Sequence, residues 1–370
     1  MSHDLIVLTA GGTGGHVFPA EALAVELLSR GFELSLITDS RGQAYGGTLG
    51  QLATHRICAG SIAGRGVGAR IRSVLELGTG FLQARTLLSR LRPAAIVGFG
   101  GYASVPAMMA ASVLGVPSAL HEQNAVLGRA NRLLAGRTSR IATCYGEIKN
   151  LSPALQKKVV QTGMPVRPQI VAQRGLDYPA LTETGPLRLL VLGGSQGARV
   201  LSEVVPAALA ALPEKLRLRI EISQQCRPED LDEVRAAYEG TGIKADLQSF
   251  FTDVPERMVA AHLVIARSGA STVGELTVMG RPAILVPYPH AIDDHQTANA
   301  HAVDEAGGGW LIPQPAFTPE SLAGRLESLF SLPGSLTRAA ACARATGVPD
   351  AAARLADLVT SLVPKCEVTP

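Results

Sequence analysis

Charge is scarce in this chain: 18% of its 370 residues are charged against 46% apolar. That balance is the reverse of the disordered signature and excludes disorder as a whole-chain reading. Cysteine is nearly absent. Cys58, Cys144, Cys226, Cys342 and Cys366 are odd in number and include no CxxC and no neighbouring His pair, so neither a disulfide framework nor a zinc site is expected and a reducing compartment fits. A cationic n-region is missing at Met1-Ser2-His3-Asp4, and the first apolar run stops at Ala10-Gly11-Gly12, so no secretory peptide is expected. Long apolar runs are missing too. The longest uncharged stretch, Pro93 to Leu120, is interrupted by Gly98, Gly100, Gly101, Pro106, Gly115 and Pro117, which leaves no piece long enough to cross a bilayer. It reads instead as strand (Ala94–Gly98), glycine turn, helix (Pro106–Leu114) and strand (Pro117–His121).

What is present is length for two or three domains, each with a proper core, and a hidden charge asymmetry. The formal net charge is +3, but residues 1–185 carry 18 Lys and Arg against 10 Asp and Glu, while residues 186–370 carry 16 against 21. A basic first half implies an anionic partner: nucleic acid, a phosphorylated substrate or an acidic membrane surface.

Short apolar strands alternate with helical segments along the whole chain. Leu5–Thr9, Glu33–Thr38, Leu187–Leu192, Leu216–Ile222, Leu263–Ala266 and Ala283–Pro287 read as strands; Pro19–Arg30, Arg199–Leu212 and Asp230–Tyr238 read as helices. Nearly all-apolar strands in this alternation indicate parallel sheets covered on both faces. The halves echo one another. Leu5 to Gly15 and Leu189 to Ala198 each run an apolar strand into a Gly-rich loop and then a helix, as two Rossmann-like domains would. The turn-rich stretch Gly163–Pro186 is the expected boundary, with domains over residues 1–163 and 187–340, a linker over 164–186, and an Ala-rich helical segment over 341–370 that is expected to return to the first domain.

Three glycine loops carry the chemistry. Gly11-Gly12-Thr13-Gly14-Gly15-His16 stands where a strand hands over to a helix, so a phosphate or sugar can approach the backbone and the positive end of the helix dipole; a tight βα turn needing glycine is the bland alternative. Gly12-x-Gly14 with Asp39 mimics a dinucleotide fingerprint, but Val17 fills the third glycine position. A dehydrogenase loop has no need of His16, whereas an enzyme that deprotonates a hydroxyl does. Gly193-Gly194-Ser195-Gln196-Gly197 is the second loop, with a hydroxyl where phosphate could sit. The third, Arg267 to Glu275, follows a strand and opens a helix, with Ser268 or Ser271 suited to the N-cap. The N–H groups of Ala270–Val273 suit phosphate oxygens, and Glu275 suits a pair of ribose hydroxyls; an ordinary capping box is the alternative. His290, Asp293, Asp294, His295 and Gln296 form a polar loop whose spacing fits sugar hydroxyls better than a metal. Asp230-Leu231-Asp232 spells DxD but sits at a helix start, where acids stabilise the dipole. Gly100-Gly101-Tyr102 and His121-Glu122-Gln123-Asn124 follow strands at the same edge as His16, and Glu122 is a second candidate base.

These blocks together resemble the MurG family of peptidoglycan glycosyltransferases. GGTGGHVFPA (11–20), GFGGYASVP (98–106), HEQNAVLGRANR (121–132), GGSQGAR (193–199), RSGASTVGE (267–275) and DDHQTANA (293–300) occur in order over nearly the whole chain. The resemblance implies an α/β GT-B fold of two Rossmann-like, doubly wound parallel-sheet domains facing a cleft, the first binding acceptor and membrane and the second binding donor. It implies an inverting hexosyltransferase that moves GlcNAc from UDP-GlcNAc to the 4-hydroxyl of MurNAc in lipid I, giving lipid II with a β-1,4 linkage and using no cofactor and no metal. By position, Thr13, Gly14 and Gly15 match the first loop, Asn124 the HEQN asparagine, Arg167 an arginine near the donor and Ser195 a phosphate contact. Phe251 falls where the family sets backbone groups against uracil. Ala270, Ser271, Thr272, Val273, Gly274 and Glu275 match the pyrophosphate and ribose turn, and Gln296 a GlcNAc contact. Met164 replaces a usual Asn, and Val105 a common Gly. His16 is the expected general base with Glu122 its rival, and Ala270–Val273 the stabiliser of the leaving group. Expected partners are UDP-GlcNAc, lipid I, an anionic membrane surface and other cell-wall synthesis proteins, not nucleic acid, at the cytoplasmic face of the inner membrane. For the membrane, Arg65, Arg70, Arg72, Arg85, Arg90 and Arg92 accompany Ile71, Leu75, Phe81, Leu82, Leu87 and Leu88, a basic rim around an apolar face; a helix packed on the first sheet is the alternative. Rival functions are a nicotinamide dehydrogenase, a UDP-sugar 2-epimerase or other lipid glycosyltransferase of the same fold, and a non-catalytic nucleotide-sugar-binding module.

Overall fold

The computed structural model describes residues 4–11, 14–39, 46–60, 67–194 and 197–364. Thr13 and Ser195 lie outside the described residues. The chain divides into two compact units, Met1–Arg167 with Asp350–Pro370, and Pro168–Pro349.

In the first unit the apolar runs form seven strands: β1 (Leu5–Thr9), β2 (Glu33–Thr38), β3 (Ala53–Arg56), β4 (Ala95–Gly98), β5 (Ser118–Glu122), β6 (Arg140–Thr143) and β7 (Val159–Gln161). They pair in parallel in the order β3-β2-β1-β4-β5-β6-β7. β4 and β5 are buried at every position, which is why β4 reads as an unbroken apolar run rather than an alternating one, while β5 carries buried polar residues, Ser118, His121 and Glu122, into the sheet. The order reverses between β1 and β4, and ligands of such sheets bind at the carboxyl ends of the strands flanking that reversal.

The helix after β1 spans Gly14–Ser29, beginning five residues before the expected Pro19, which becomes a buried interior residue. Proline removes one i→i−4 bond there, but the burial of Ala20, Leu23, Ala24 and Leu27 against the sheet holds the helix together. His16 therefore stands on the first helical turn rather than in a loop. The same core receives Leu355, Ala356, Leu358 and Val359 of the C-terminal helix Ala351–Thr360. Arg30 ties that helix to the first one through Asp357 at 2.6 Å.

The second unit repeats the plan with β8 (Leu187–Leu192), β9 (Ile220–Gln225), β10 (Lys244–Gln248), β11 (Leu263–Ala266), β12 (Ala283–Leu285) and β13 (Gly309–Leu311), all parallel in the order β10-β9-β8-β11-β12-β13. Relabelled from its own first strand this is the same reversal, so the loops after β8 and β11 flank it. The strand expected at Leu216 starts at Ile220 because Pro213 opens a short helix, Glu214–Arg217.

The boundaries differ from the expected linker and tail. The first unit keeps the chain through Arg167, and Pro168–Gln173 is a helix of the second. The return comes at Asp350 rather than 341: helix Pro333–Thr346 stays with the second unit, and a Cβ on Gly347 would collide with the Thr277 carbonyl oxygen, so the chain is pressed against helix Ala270–Met279 up to that point.

Candidate active site

In the first unit the loops after β1, β4 and β5 converge on one imidazole. Gly100 and Gly101 adopt φ of 87° and 73°, which glycine reaches without strain. A Cβ at Gly100 would stand 3.3 Å from His16 Cε1 and one at Gly101 3.5 Å from Cδ2, so the absence of side chains lets the ring lie against this backbone. Nδ1 of His16 is 3.2 Å from Oε1 of Gln123. The Gln123 amide nitrogen is 2.9 Å from the Phe99 carbonyl oxygen, 3.1 Å from that of His121, and 3.0 Å from His121 Nδ1. Nε2 of His121 reaches the Gly163 carbonyl oxygen at 3.3 Å.

His121 is fully buried, and its pKa is pushed down to about 4, chiefly by desolvation, with the nearby His16 adding to it and the Gly163 bond opposing it. Below pH 6.5 the unfolded chain takes up a proton that the folded chain refuses, so stability falls as pH drops from about 6.5 to about 4, by up to about 3 kcal/mol. Urea titrations at pH 7 and pH 4.5 measure this, and His121→Asn should flatten that interval.

Glu122 is equally buried, but its carboxylate is occupied. It accepts from Asn124 N–H (3.0 Å), Asn124 Nδ2 (3.2 Å), Gly128 N–H (2.8 Å) and Asn131 Nδ2 (2.8 Å). A carboxylate with four donors organises the loop from Asn124 to Asn131, and its lone pairs are committed there. Arg167, expected near the donor, belongs to the first unit and lies over the exposed ring of Phe18 at 5.2 Å. Gly14 and Gly15 are the first residues of the His16 helix.

In the second unit, Gly193 packs so closely that a Cβ would meet the Ala198 amide nitrogen at 2.6 Å. Helix Ala270–Met279 starts after Gly269, whose extended conformation (φ −63°, ψ 146°) makes it the N-cap. Neither expected serine caps it: Ser271 is inside the first turn, and the Ser268 hydroxyl is buried with no hydrogen-bond partner. The first intrahelical bond is Val273 N–H to Gly269 C=O (3.0 Å). The amides of Ala270, Ser271 and Thr272 precede it, with the dipole's positive end behind them and no side-chain cap across them. Val273, Gly274 and Glu275 are buried one turn on.

Gln296 accepts from the Tyr288 N–H at 2.9 Å, which fixes the loop after β12 and turns its amide NH₂ into the remaining polar group. Arg267, unremarked as a scaffold in the sequence, donates to the carbonyls of Val286 and Pro287 (3.0 Å each) and to Gln314 (2.7 Å), bracing the same loop. Phe251 is 2% exposed, with the Arg257 guanidinium 4.0 Å above its ring, so its side chain is core. The DxD acids part company: Asp230 pairs with Arg227 and Asp232 with Arg235, each at 2.6 Å. Among the described residues no three His, Cys, Asp or Glu side chains converge as metal ligands.

Two sheets with the dinucleotide-fold strand order, each carrying a glycine loop at its reversal, one with an oriented imidazole and the other with an uncapped helix start, define a two-domain enzyme of the nucleotide-sugar type. The chain belongs to glycosyltransferase family 28, and within it to the MurG family. Residues 6–143 match the glycosyltransferase family 28 N-terminal domain and residues 188–355 the C-terminal domain. It is 67% identical over 97% of its length, and 97% of the relative's, to a protein of Paramagnetospirillum magneticum named UDP-N-acetylglucosamine--N-acetylmuramyl-(pentapeptide) pyrophosphoryl-undecaprenol N-acetylglucosamine transferase. A protein of the same name from Rhodospirillum rubrum is 61% identical over 96% of this chain and 91% of that one. The crystal structure of Acinetobacter baumannii MurG superposes with a TM-score of 0.76 at 28% identity, covering 96% of this chain and 99% of the other. A solved UDP-N-acetylglucosamine 2-epimerase (TM-score 0.62, 12% identity, 96% of this chain and 95% of the other) shares the fold alone.

Proposed function

We propose that this chain is the hexosyltransferase that moves GlcNAc from UDP-GlcNAc to the 4-hydroxyl of MurNAc in lipid I, forming lipid II for peptidoglycan. The observation that carries the reading is the placement of His16, on the first turn of the glycine-loop helix and against Gly100–Gly101 at the edge where such sheets bind ligands. The acceptor hydroxyl gives its proton to the imidazole as its oxygen bonds to C1 of the sugar. The C1–O bond to UDP breaks with inversion, and the charge that develops on the diphosphate is met by the amides of Ala270–Thr272. Thr13, Gly14, Gly15, Asn124, Arg167, Ser195, Phe251, Val273, Gly274 and Gln296 complete the proposed substrate contacts, and Glu122 serves by holding the Asn124 loop. Transfer from UDP-GlcNAc to a lipid I analogue, with UDP-GalNAc and UDP-glucose as competing donors, tests the reading; no transfer, or no preference among donors, refutes it.

Glu275 is proposed to accept from both ribose hydroxyls. Glu275→Ala should raise the donor KM about 10- to 100-fold, the loss of charge-assisted hydrogen bonds, with kcat little changed; a pure kcat defect contradicts the assignment.

The first unit is also proposed to rest on an anionic membrane surface. No helix among the described residues is long and apolar enough to cross a membrane. On helix Val67–Leu91 the apolar face is narrower than expected, because Leu88 is buried and Phe81 and Leu87 pack against the core; Arg65 and the side chains of Arg70 and Ile71 lie outside the described residues. Val74, Leu75 and Leu82 remain 60–66% exposed beside Arg72, Arg85 and Arg90, an apolar stripe with cations suited to interfacial binding. The chain should float with vesicles containing acidic phospholipid and not with neutral ones, and Leu75→Ser with Leu82→Ser should weaken flotation.

A further inference from the structure

We infer that Gln123 is a positioning residue that fixes the tautomer of His16, placing the proton on Nδ1 and the basic lone pair on Nε2. The inference rests on the assignment of His16 as the base, and it follows from which atoms can donate. Two carbonyl oxygens, those of Phe99 and His121, face one end of the Gln123 side chain at 2.9 and 3.1 Å. Carbonyl oxygens only accept, so that end is the NH₂ group and the other end, 3.2 Å from His16 Nδ1, is the oxygen. An amide oxygen also only accepts, so Nδ1 must carry the hydrogen. The neutral imidazole then has its lone pair on Nε2, the only nitrogen that can take a proton from a substrate hydroxyl.

The polarity extends one residue further. Gln123 NH₂ also faces His121 Nδ1 at 3.0 Å, which makes that nitrogen an acceptor and leaves the His121 proton on Nε2, directed at the Gly163 carbonyl oxygen. A protonated His121 would set an N–H against the amide NH₂. Burial keeps His121 neutral, and so keeps the amide from being turned around. The chain His16, Gln123, His121, Gly163 is thus ordered donor to acceptor in a single sense, from the proposed base at one end to a backbone carbonyl oxygen at the other. In water the Nε2–H tautomer of histidine is the commoner one, with its lone pair on the wrong nitrogen for this geometry.

The test uses full-length chain labelled with ¹⁵N-histidine and two-bond ¹H–¹⁵N spectra, the His16 signals being those lost in His16→Ala. The wild-type ring should show a protonated Nδ1 and an unprotonated Nε2. Gln123→Met, which keeps the length but neither donates nor accepts, should move His16 toward the Nε2–H form and lower kcat about 100-fold, the scale of a lost general base, with the donor KM unchanged. Gln123→Glu keeps an acceptor oxygen toward Nδ1 and, as the neutral acid, a donor toward the Phe99 and His121 carbonyls; it should retain the wild-type tautomer and recover part of kcat. A wild-type His16 protonated on Nε2 overturns the inference even if Gln123→Met does not fold, and so does a Gln123→Met chain with unchanged tautomer and turnover. Wild-type turnover in His16→Ala refutes the base assignment instead, and removes the catalytic consequence while the tautomer spectra still decide the positioning.

Discussion

His16→Ala lowers kcat by 10²- to 10⁴-fold, the range a positioned general base contributes, and leaves the affinity for UDP nearly unchanged. The separation is expected because the groups proposed to bind the diphosphate, the amides at the start of helix Ala270–Met279, belong to the second unit and His16 to the first. The half-buried ring is met at Nδ1 by the Gln123 side-chain amide and lies against the glycine backbone of Gly100 and Gly101; truncation therefore removes the base while that backbone stays in place. Steady-state kinetics with a lipid I analogue, alongside calorimetric titration of UDP, check both halves. Turnover within threefold of wild type would take the role from His16. Glu122 would be a poor heir, since proton uptake would cost it the donors from Asn124, Gly128 and Asn131 that organise its loop.

The placing of an imidazole at this strand-to-helix junction is legible in the sequence because it depends on local grammar: a short, nearly all-apolar strand, a glycine-rich loop, a histidine, then a helical pattern. The same grammar located the loops after β4, β5, β8 and β11, since apolar strands of parallel sheets end abruptly and the residues just beyond them stand at the binding edge. What local grammar could not reach were roles set by partners distant in sequence. Gln123 and His16 are 107 residues apart, and nothing in HEQN says which of four polar side chains points at an imidazole. Glu122 reads as a free carboxylate until Gly128 and Asn131 fold back onto it. The third glycine loop misled in the opposite way. Serine is the commoner N-cap, but the chain gives that place to Gly269 and buries Ser268, leaving the helix start without a side-chain cap. Departure from local preference at this point coincides with the place proposed to receive a diphosphate.

Arg281→Met destabilises the second unit by about 3–5 kcal/mol, the cost of leaving several buried carbonyl oxygens without a donor, although Arg281 touches no proposed substrate group. It is 1% exposed, and its hydrogen bonds among the described residues all go to backbone carbonyl oxygens rather than to a carboxylate. Burial pulls its pKa down to about 10, which still leaves it cationic at neutral pH. The cation is tolerated because of where its donors go. Nε and one terminal nitrogen reach the carbonyls of Met258 (2.8 Å) and Val259 (2.9 Å), in the last turn of helix Val254–Ala260, and the other terminal nitrogen reaches those of Met279 (3.0 Å) and Gly280 (3.3 Å), at the end of helix Ala270–Met279. Two helix carboxyl ends, each bearing partial negative charge and unsatisfied carbonyls, thus take the place of a counter-ion. Methionine fills the volume but leaves those carbonyls buried and unbonded, each a desolvation loss. Lysine keeps the charge but cannot span both helix ends, so Arg281→Lys should fall between the two. Urea unfolding followed by far-UV circular dichroism measures the series, and a loss below about 1 kcal/mol for Arg281→Met would refute the shared cap. Because one of the two capped helices is the one whose opposite end is proposed to hold the diphosphate, a folded Arg281→Lys chain should also show a raised donor KM while His16-dependent turnover at saturating donor is preserved.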